Sequence, residues 1–270
     1  MKFSLLMCVY IKEKPAFLSQ CLNSILTQTV LPDEFVIVKD GPLTPELDAV
    51  LENLHFPNEL NIIALPENIT QGPARARGLE AAKHEWVAVM DSDDVCLPDR
   101  FEKELAMLES NPELGLIGGQ ITEFTDNPEQ TIAARAVPAN HDGILKYAKF
   151  RNPFNQMTVM FNKQAVLNAG SYSRFPNFED YELWARMIAG GTICANHPDV
   201  LVHARVGGGM YGRRRGFGYI KNEWRMQRQL KSLRLINGLE FMRNVAVRVP
   251  VRLLPERVLA GVYGKLAREK

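Results

Sequence analysis

Along the first 110 residues, apolar runs of strand length alternate with stretches whose apolar positions recur every three to four residues. FSLLMCV (3–9) reads as a strand. Pro15–Gln28 follows as a helix, with Phe17, Leu18, Cys21, Leu22, Ile25 and Leu26 on one stripe. EFVIVKD (34–40) is a second strand, and Pro45–Leu54 a second helix with proline at its start. LNIIAL (60–65) precedes a helix over Pro73–His84, and EWVAVMD (85–91) precedes one over Pro98–Ser110. Four β-then-α units of this length predict an α/β fold with a doubly wound, mostly parallel sheet flanked by helices. After Gly115 the pattern loosens. RNPFNQMTVMF (151–161) reads as a loop entering a strand, Asp180–Ala189 as a short helix, and 219–236 as a basic amphipathic helix. No linker rich in Gly and Ser interrupts the chain. The expected organisation is therefore one large domain, 1–215, with a basic helical C-terminal extension, 216–270.

Open α/β sheets bind ligands outside the carboxyl ends of their strands. That rule selects Tyr10, Asp40 and the Asp91–Asp94 cluster, each of which follows a strand, and predicts that they converge along one edge. In VMDSDDVCLPDR (89–100), Asp91, Asp93 and Asp94 stand almost side by side. A divalent cation would remove their mutual repulsion, and magnesium or manganese accepts one or two carboxylates together with phosphate oxygens. The other reading is a solvated loop in which Asp94 or Asp99 favours the start of the following helix.

Composition narrows the class. The four cysteines, Cys8, Cys21, Cys96 and Cys194, are scattered without a CxxC pair, as expected of reduced, buried thiols in a cytosolic protein. The longest uncharged run, Pro15–Pro32, carries Ser, Gln, Asn and Thr and makes a poor membrane span. The apolar start lacks a cleavage-site pattern and reads as a buried strand. The net charge of +1 hides an asymmetry: from Arg205 onward there are 16 Lys and Arg against 4 Asp and Glu, and residues 1–204 carry a net −11. An acidic body with a basic tail points to an anionic surface as partner. No zinc-finger or aromatic RNA-binding pattern is present, so nucleic acid is not the expected one.

The order of MCVYIKEKPAFLSQCLNSILTQT, VIVKDGP, ENITQGPARARGLEAAKHEWVAVMDSDD, LPDRF and FEDYELWARM resembles the inverting family 2 glycosyltransferases, which have the nucleotide-sugar-binding GT-A fold. The KEKP start, NPFNQMTVMF and RVGGGMYGRRRG further resemble bacterial enzymes that build O-antigen and exopolysaccharide repeats on a lipid carrier. The resemblance implies roles. Val9 and Tyr10 lie near the nucleotide base, with Glu13 close by, and Asp40 accepts the uracil imide hydrogen. Asp91, Ser92 and Asp93 form the Asp-x-Asp motif, with Asp91 near the ribose and Asp93 on Mn2+ or Mg2+. An ionised carboxylate is acceptor-only and suits a ribose hydroxyl or an imide N–H. Asp40 also stands first in an Asp-Gly-Pro turn, which is its alternative explanation.

Inverting transfer is a single displacement, so it needs one base on the acceptor hydroxyl and a cation on the leaving diphosphate. The family's Glu-Asp pair matches Glu179 and Asp180, with Asp180 the base; both acids would also favour a helix N-terminus electrostatically. Some relatives bring a histidine back to the metal, here His203, although a lone histidine is more often a structural residue. Arg75 is positioned to reach the nucleotide or its phosphates, or else is a solvated arginine at a helix start. Arg205 and Arg213–Arg215 suit the diphosphate oxygens of donor or lipid acceptor, or else form a solvated basic loop, and glycines 207–209 would let that segment move over the donor. Three departures stand out: Lys39 where an acid is usual, Thr70 where a glycine is usual, and Ala76 in place of Asn.

The resulting expectation is a cytosolic, peripheral membrane enzyme at the inner face of the cell membrane. It would move galactose or glucose from a UDP-sugar to a lipid-diphosphate-linked sugar. A sugar-phosphate nucleotidyltransferase would instead carry a glycine-rich phosphate loop where VYIKEKPAF stands. A non-catalytic nucleotide-sugar-binding scaffold is the remaining alternative.

Overall fold

A computed structural model describes residues 1–207 and 215–253. Its first half follows the alternating pattern: β1 (Phe3–Val9), α1 (Pro15–Leu26), β2 (Glu34–Lys39), α2 (Pro45–Glu52), β3 (Glu59–Ala64), α3 (Gln71–Ala81), β4 (Trp86–Asp91), a two-residue β5 (Val95–Cys96) and α4 (Arg100–Ser110). The stripe read in α1 buries Leu18, Cys21, Leu22 and Ile25. The helix stops at Leu26, and Gln28 turns its amide to the carbonyls of Ser24 and Leu97. In α2, Pro45 needs no N–H partner, and the Thr44 hydroxyl accepts from Leu47 N–H. The third helix ends at Ala81, short of His84, because the chain extends at Ala82 and Lys83 N–H bonds the buried Glu34 carboxylate.

Strands β3, β2, β1 and β4 run parallel in that spatial order, so the winding reverses between β1 and β4. That crevice is where a doubly wound sheet binds ligand. The sheet then continues through β8 (Met160–Asn162), β6 (Leu114–Phe124), β9 (Ile193–Arg205) and β5, while β7 (Ala133–Arg135) pairs β6 off this path. Here β8 is antiparallel to β4 and β6, β6 and β9 are parallel, and β5 is antiparallel to β9. Helices α5 (His141–Ala148), α6 (Lys163–Asn168) and α7 (Glu179–Ala189) complete this half.

The loosened pattern after Gly115 therefore conceals two long strands. Gly115, Gly118 and Gly119 weaken the strand signal in β6, and Pro198 and the register shifts against β6 do so in β9. Packing explains Gly119: a Cβ there would meet Leu201 Cδ1 at 2.3 Å.

Apolar clusters cover both faces of the sheet. A third cluster joins α7 to two further helices, α8 (Phe217–Ser232) and α9 (Gly238–Leu253). Phe178, Tyr181 and Ala185 pack there against Tyr219, Met226 and Phe241. The fully buried Glu223 of α8 receives Arg248 at 2.8 Å and Arg252 at 3.0 Å from α9, closing the helix pair. Among the described residues, no helix is long and apolar enough to cross a membrane.

Candidate functional site

The carboxyl ends of β1, β2 and β4 form one edge, as the strand rule predicts. Tyr10 is exposed there. Val9 is fully buried in the core, and its carbonyl accepts from Asp40 N–H, so it supports the edge from beneath. The Asp40 carboxylate accepts from Ile69 N–H at 2.7 Å and from the Asn68 amide at 2.9 Å. Burial pushes its carboxyl above the ordinary value, and the backbone bonds oppose this. The turn explanation is also realised: Gly41 has φ +87, and a Cβ there would stand 2.7 Å from Asn68 N.

At the end of β4, the Ser92 hydroxyl donates to Glu13 at 2.5 Å, bringing the β1 loop onto the acid cluster. Burial, then the like charges of Asp91 and Glu13, push the Asp93 carboxyl up to about 7. Asp94 is buried and accepts Arg205 N–H at 2.7 Å. The first residue before α4 is Asp99, whose side chain makes no cap bond, so neither Asp94 nor Asp99 caps that helix. Arg205 is not available to a diphosphate. Its Nε bonds the Asp93 carbonyl, its Nη atoms bond the Thr125 carbonyl and Gln20, and its plane lies over Phe17 and Phe124. It clamps the acid loop to β9 and α1. Residues Arg213, Arg214, Gly208 and Gly209 lie outside the described residues.

Among the described residues, no group of three or more His, Cys, Asp and Glu gathers as a metal cage. A Mg2+ or Mn2+ site completed by diphosphate oxygens needs fewer. The hard oxygen donors of Asp91 and Asp93, mutually repelling and half-buried, fit such an ion. His203 lies beside the loop, opposite Val95 of β5, and its Nδ1 is 2.5 Å from the Thr122 hydroxyl. Burial lowers its pKa, favouring the neutral ring, and Nε2 offers a lone pair in the tautomer whose Nδ1–H donates to Thr122.

Arg75 joins this cluster to the second acidic pair. It is buried, not solvated, and it reaches Asp91 at 2.6 Å from α3 and Glu179 at 3.4 Å at the start of α7. Glu179 and Asp180 occupy the first turn of α7, where the helix dipole favours both. Burial and the adjacent Asp180 push the Glu179 carboxyl up to about 7 against the pull of Arg75. Burial raises Asp180, while the Tyr181 N–H, Arg75 and Arg135 lower it. Two adjacent buried carboxylates, one of them joined through Arg75 to Asp91, suit proton removal beside a phosphate leaving group.

Residues 4–175 match the family model described as glycosyl transferase family 2. The chain belongs to that family. Of its curated relatives, the amylovoran biosynthesis glycosyltransferase AmsE of Erwinia amylovora is 40% identical over 266 residues, spanning 97% of this chain and 98% of the relative. An Escherichia coli UDP-Gal:alpha-D-GlcNAc-diphosphoundecaprenol beta-1,3-galactosyltransferase is 35% identical, spanning 99% of this chain and 97% of its own. Among solved structures, S. aureus TarS 1–349 with UDP-GlcNAc superposes with a TM-score of 0.67 at 15% identity, over 99% of this chain and 74% of that one. This chain spans 44% of the longer TarS chain.

Membership makes this chain a glycosyltransferase using a nucleotide sugar, on a GT-A fold. Within the family frame, the Thr70 departure acquires a physical cost. Thr70 precedes α3 at φ +76 and ψ +156, a region that is essentially glycine's alone. No sequence pattern marks Asn152, whose amide donates to Asp180 at 2.7 Å. It was legible only as part of the RNPFN segment, since nothing in spacing ties residue 152 to residue 180. The Arg205 clamp is likewise a product of the β6–β9 strands that the pattern hides.

Proposed function

We propose that this glycosyltransferase moves a hexose, galactose or glucose, from a UDP-sugar onto a sugar carried on a lipid diphosphate, with inversion, in surface polysaccharide assembly. The observation that carries the reading is the Arg75 bridge, which sets Asp91 beside Glu179 and so brings the acid edge against the start of α7. Donor and acceptor specificity draw support from the names of the two curated relatives.

In this reading the UDP-sugar lies across the β1–β4 crevice. Asp40 and Glu13 attend the base end, Asp91 the ribose, and Asp93 with Asp91 would hold Mg2+ or Mn2+, His203 being the third candidate ligand. The ion's contribution is neutralisation of charge on the departing diphosphate. Asp180 accepts the acceptor's proton and Glu179 orients with Arg75. We assign the catalytic unit to residues 1–215 and the basic extension to 216–270.

In this reading the basic extension would hold the enzyme at the inner face of the membrane. Along α9, Leu239, Met242 and Val247 are exposed, and α8 exposes Phe217 and Trp224 among Lys221, Arg228 and Lys231. Apolar groups set among cations are the signature of an interfacial helix on anionic lipid. The apolar tail residues Leu254, Val258 and Leu259 lie outside the described residues.

The test is a transfer assay with each UDP-hexose, Mn2+ and a synthetic lipid-diphosphate N-acetylhexosamine, with NMR assignment of the product's anomeric configuration. Transfer from UDP-galactose or UDP-glucose with inversion is expected. Transfer only from a non-uridine donor, or retention of configuration, overturns the reading.

A further inference from the structure

Asp180 does not stand alone at the start of α7. Its Oδ1 accepts Tyr181 N–H at 2.7 Å, and its Oδ2 accepts the Asn152 amide at 2.7 Å. The direction of that amide is set by a third group. Asn152 Oδ1 accepts Phe154 N–H at 3.2 Å, and since a backbone N–H can only donate, the NH2 must face the carboxylate.

The segment holding Asn152 is neither helix nor strand, yet it is tied down from several sides. Arg135 of β7 donates to the Asn152 carbonyl at 3.1 Å, Asn196 of β9 to the Pro153 carbonyl at 3.1 Å, and Asn155 to the Gly119 carbonyl of β6 at 2.8 Å. A side chain fixed this firmly, with one donor hydrogen aimed at one carboxylate oxygen, does more than fill space.

We propose that Asn152 is the positioning residue of the acceptor-side base, holding Asp180 ionised and orienting its oxygens toward the acceptor hydroxyl. This rests on the reading of Asp180 as base. In the step, the acceptor hydroxyl gives its proton to an Asp180 oxygen as its own oxygen bonds the anomeric carbon. The bond from that carbon to the diphosphate breaks, and its electron pair leaves with the phosphate oxygen. Asp180 ends neutral and returns its proton to solvent, while the Asn152 amide neither gains nor loses one.

A donor to the anionic form favours that form and lowers its pKa. Asn152 therefore offsets the burial that raises Asp180. The other charged and titratable groups facing Asp180 are Glu179 on its own helix, Arg75 of α3, Asp91 of β4, Arg135 of β7 and Tyr172. Asn152→Ala removes none of these groups and keeps the backbone carbonyl that Arg135 holds, so a shift in its pH profile reports the amide.

The experiment measures kcat from pH 5.5 to 9 at saturating donor and acceptor for wild type, Asn152→Ala, Asn152→Asp and Asp180→Asn, with melting temperatures. For Asn152→Ala the acidic limb should move up by about 1–2 pH units, the worth of one hydrogen bond to a charged group. Turnover falls roughly tenfold or more below that limb and largely recovers at pH 9, with donor KM unchanged. Asn152→Asp, of the same size but carrying a like charge, should move the limb further still. A uniformly lowered kcat with the limb at its wild-type position in both variants would overturn the proposal and leave a purely structural residue. The parent reading is judged separately: Asp180→Asn retaining more than a tenth of wild-type turnover removes the base assignment itself.

Discussion

Replacing Arg75 by Met keeps most of the side-chain volume and removes the cation between Asp91 and Glu179. The Arg75 side chain is 3% exposed, Glu179 15% and Asp91 24%, so both carboxylates lose their partner in largely dehydrated surroundings. Removing one partner of a buried pair costs about 3–5 kcal/mol. Partial hydration of Asp91 places the expected loss near the lower end, about 3 kcal/mol, or roughly 6–12 °C in melting temperature for a chain of this size. The loss should depend on pH. Burial and Asp180 already push the Glu179 carboxyl up to about 7 with Arg75 present, and without the cation it moves higher. A folded pKa raised above the unfolded one contributes stability below the unfolded value and loses it as pH rises through the folded value. In the wild type the Glu179 contribution is therefore spent by about pH 7, whereas in Arg75→Met it continues to fall above that. The added slope is about 1.4 kcal/mol per pH unit for one proton. Urea unfolding at pH 6, 7 and 8 measures it, with Arg75→Met/Glu179→Gln expected to recover part of the loss and flatten the slope. A pH-independent loss below about 1 kcal/mol would refute the bridge as an electrostatic link.

Asp180→Asn should bind UDP-sugar nearly normally yet transfer at least about a hundredfold more slowly, as for a lost general base, with Glu179→Gln milder; initial rates and UDP affinity on both variants decide it. A helix-start role alone would instead lower the melting temperature with little loss of turnover. Asp93→Asn should abolish the gain in UDP affinity that manganese gives, read by calorimetry with and without the ion, while equal affinity in both proteins with metal present would remove Asp93 from the metal site. Thr70→Gly relieves a conformation costing about 1–3 kcal/mol and adds about 0.5–1 kcal/mol of chain entropy cost, so the melting temperature should rise by a few degrees. A fall on calorimetric scanning would refute the strain. Met242→Glu with Leu239→Glu should weaken co-sedimentation with anionic vesicles at least about tenfold, leave the melting temperature unchanged, and abolish its salt dependence only in part, because the cations remain; undiminished binding would move the membrane contact off α9.

The alternating pattern of residues 3–110 was enough to specify the parallel half of the sheet, because β1, β2 and β4 are near-continuous apolar runs and α1 carries an apolar stripe. The same pattern placed Tyr10, Asp40 and Asp91–Asp94 on one edge, since strand ends in a doubly wound sheet converge by topology. Composition likewise separated an acidic body from a basic extension. Tertiary structure alone decided the rest. Local signals could not announce β6 and β9, whose glycines and proline are strand breakers by propensity; Gly118 and Gly119 are required because Asn196 and Leu201 stand where a Cβ would go. Without those strands there was no reason to see Arg205 as a clamp between two phenylalanines rather than a phosphate ligand. Arg75 could be read as an exposed helix arginine until α3 and α7 were set against each other, 104 residues apart, around its side chain. Asn152 meets Asp180 across 28 residues for the same reason: a carboxylate's charge state is set by what surrounds it in space, and a chain records only what precedes and follows it.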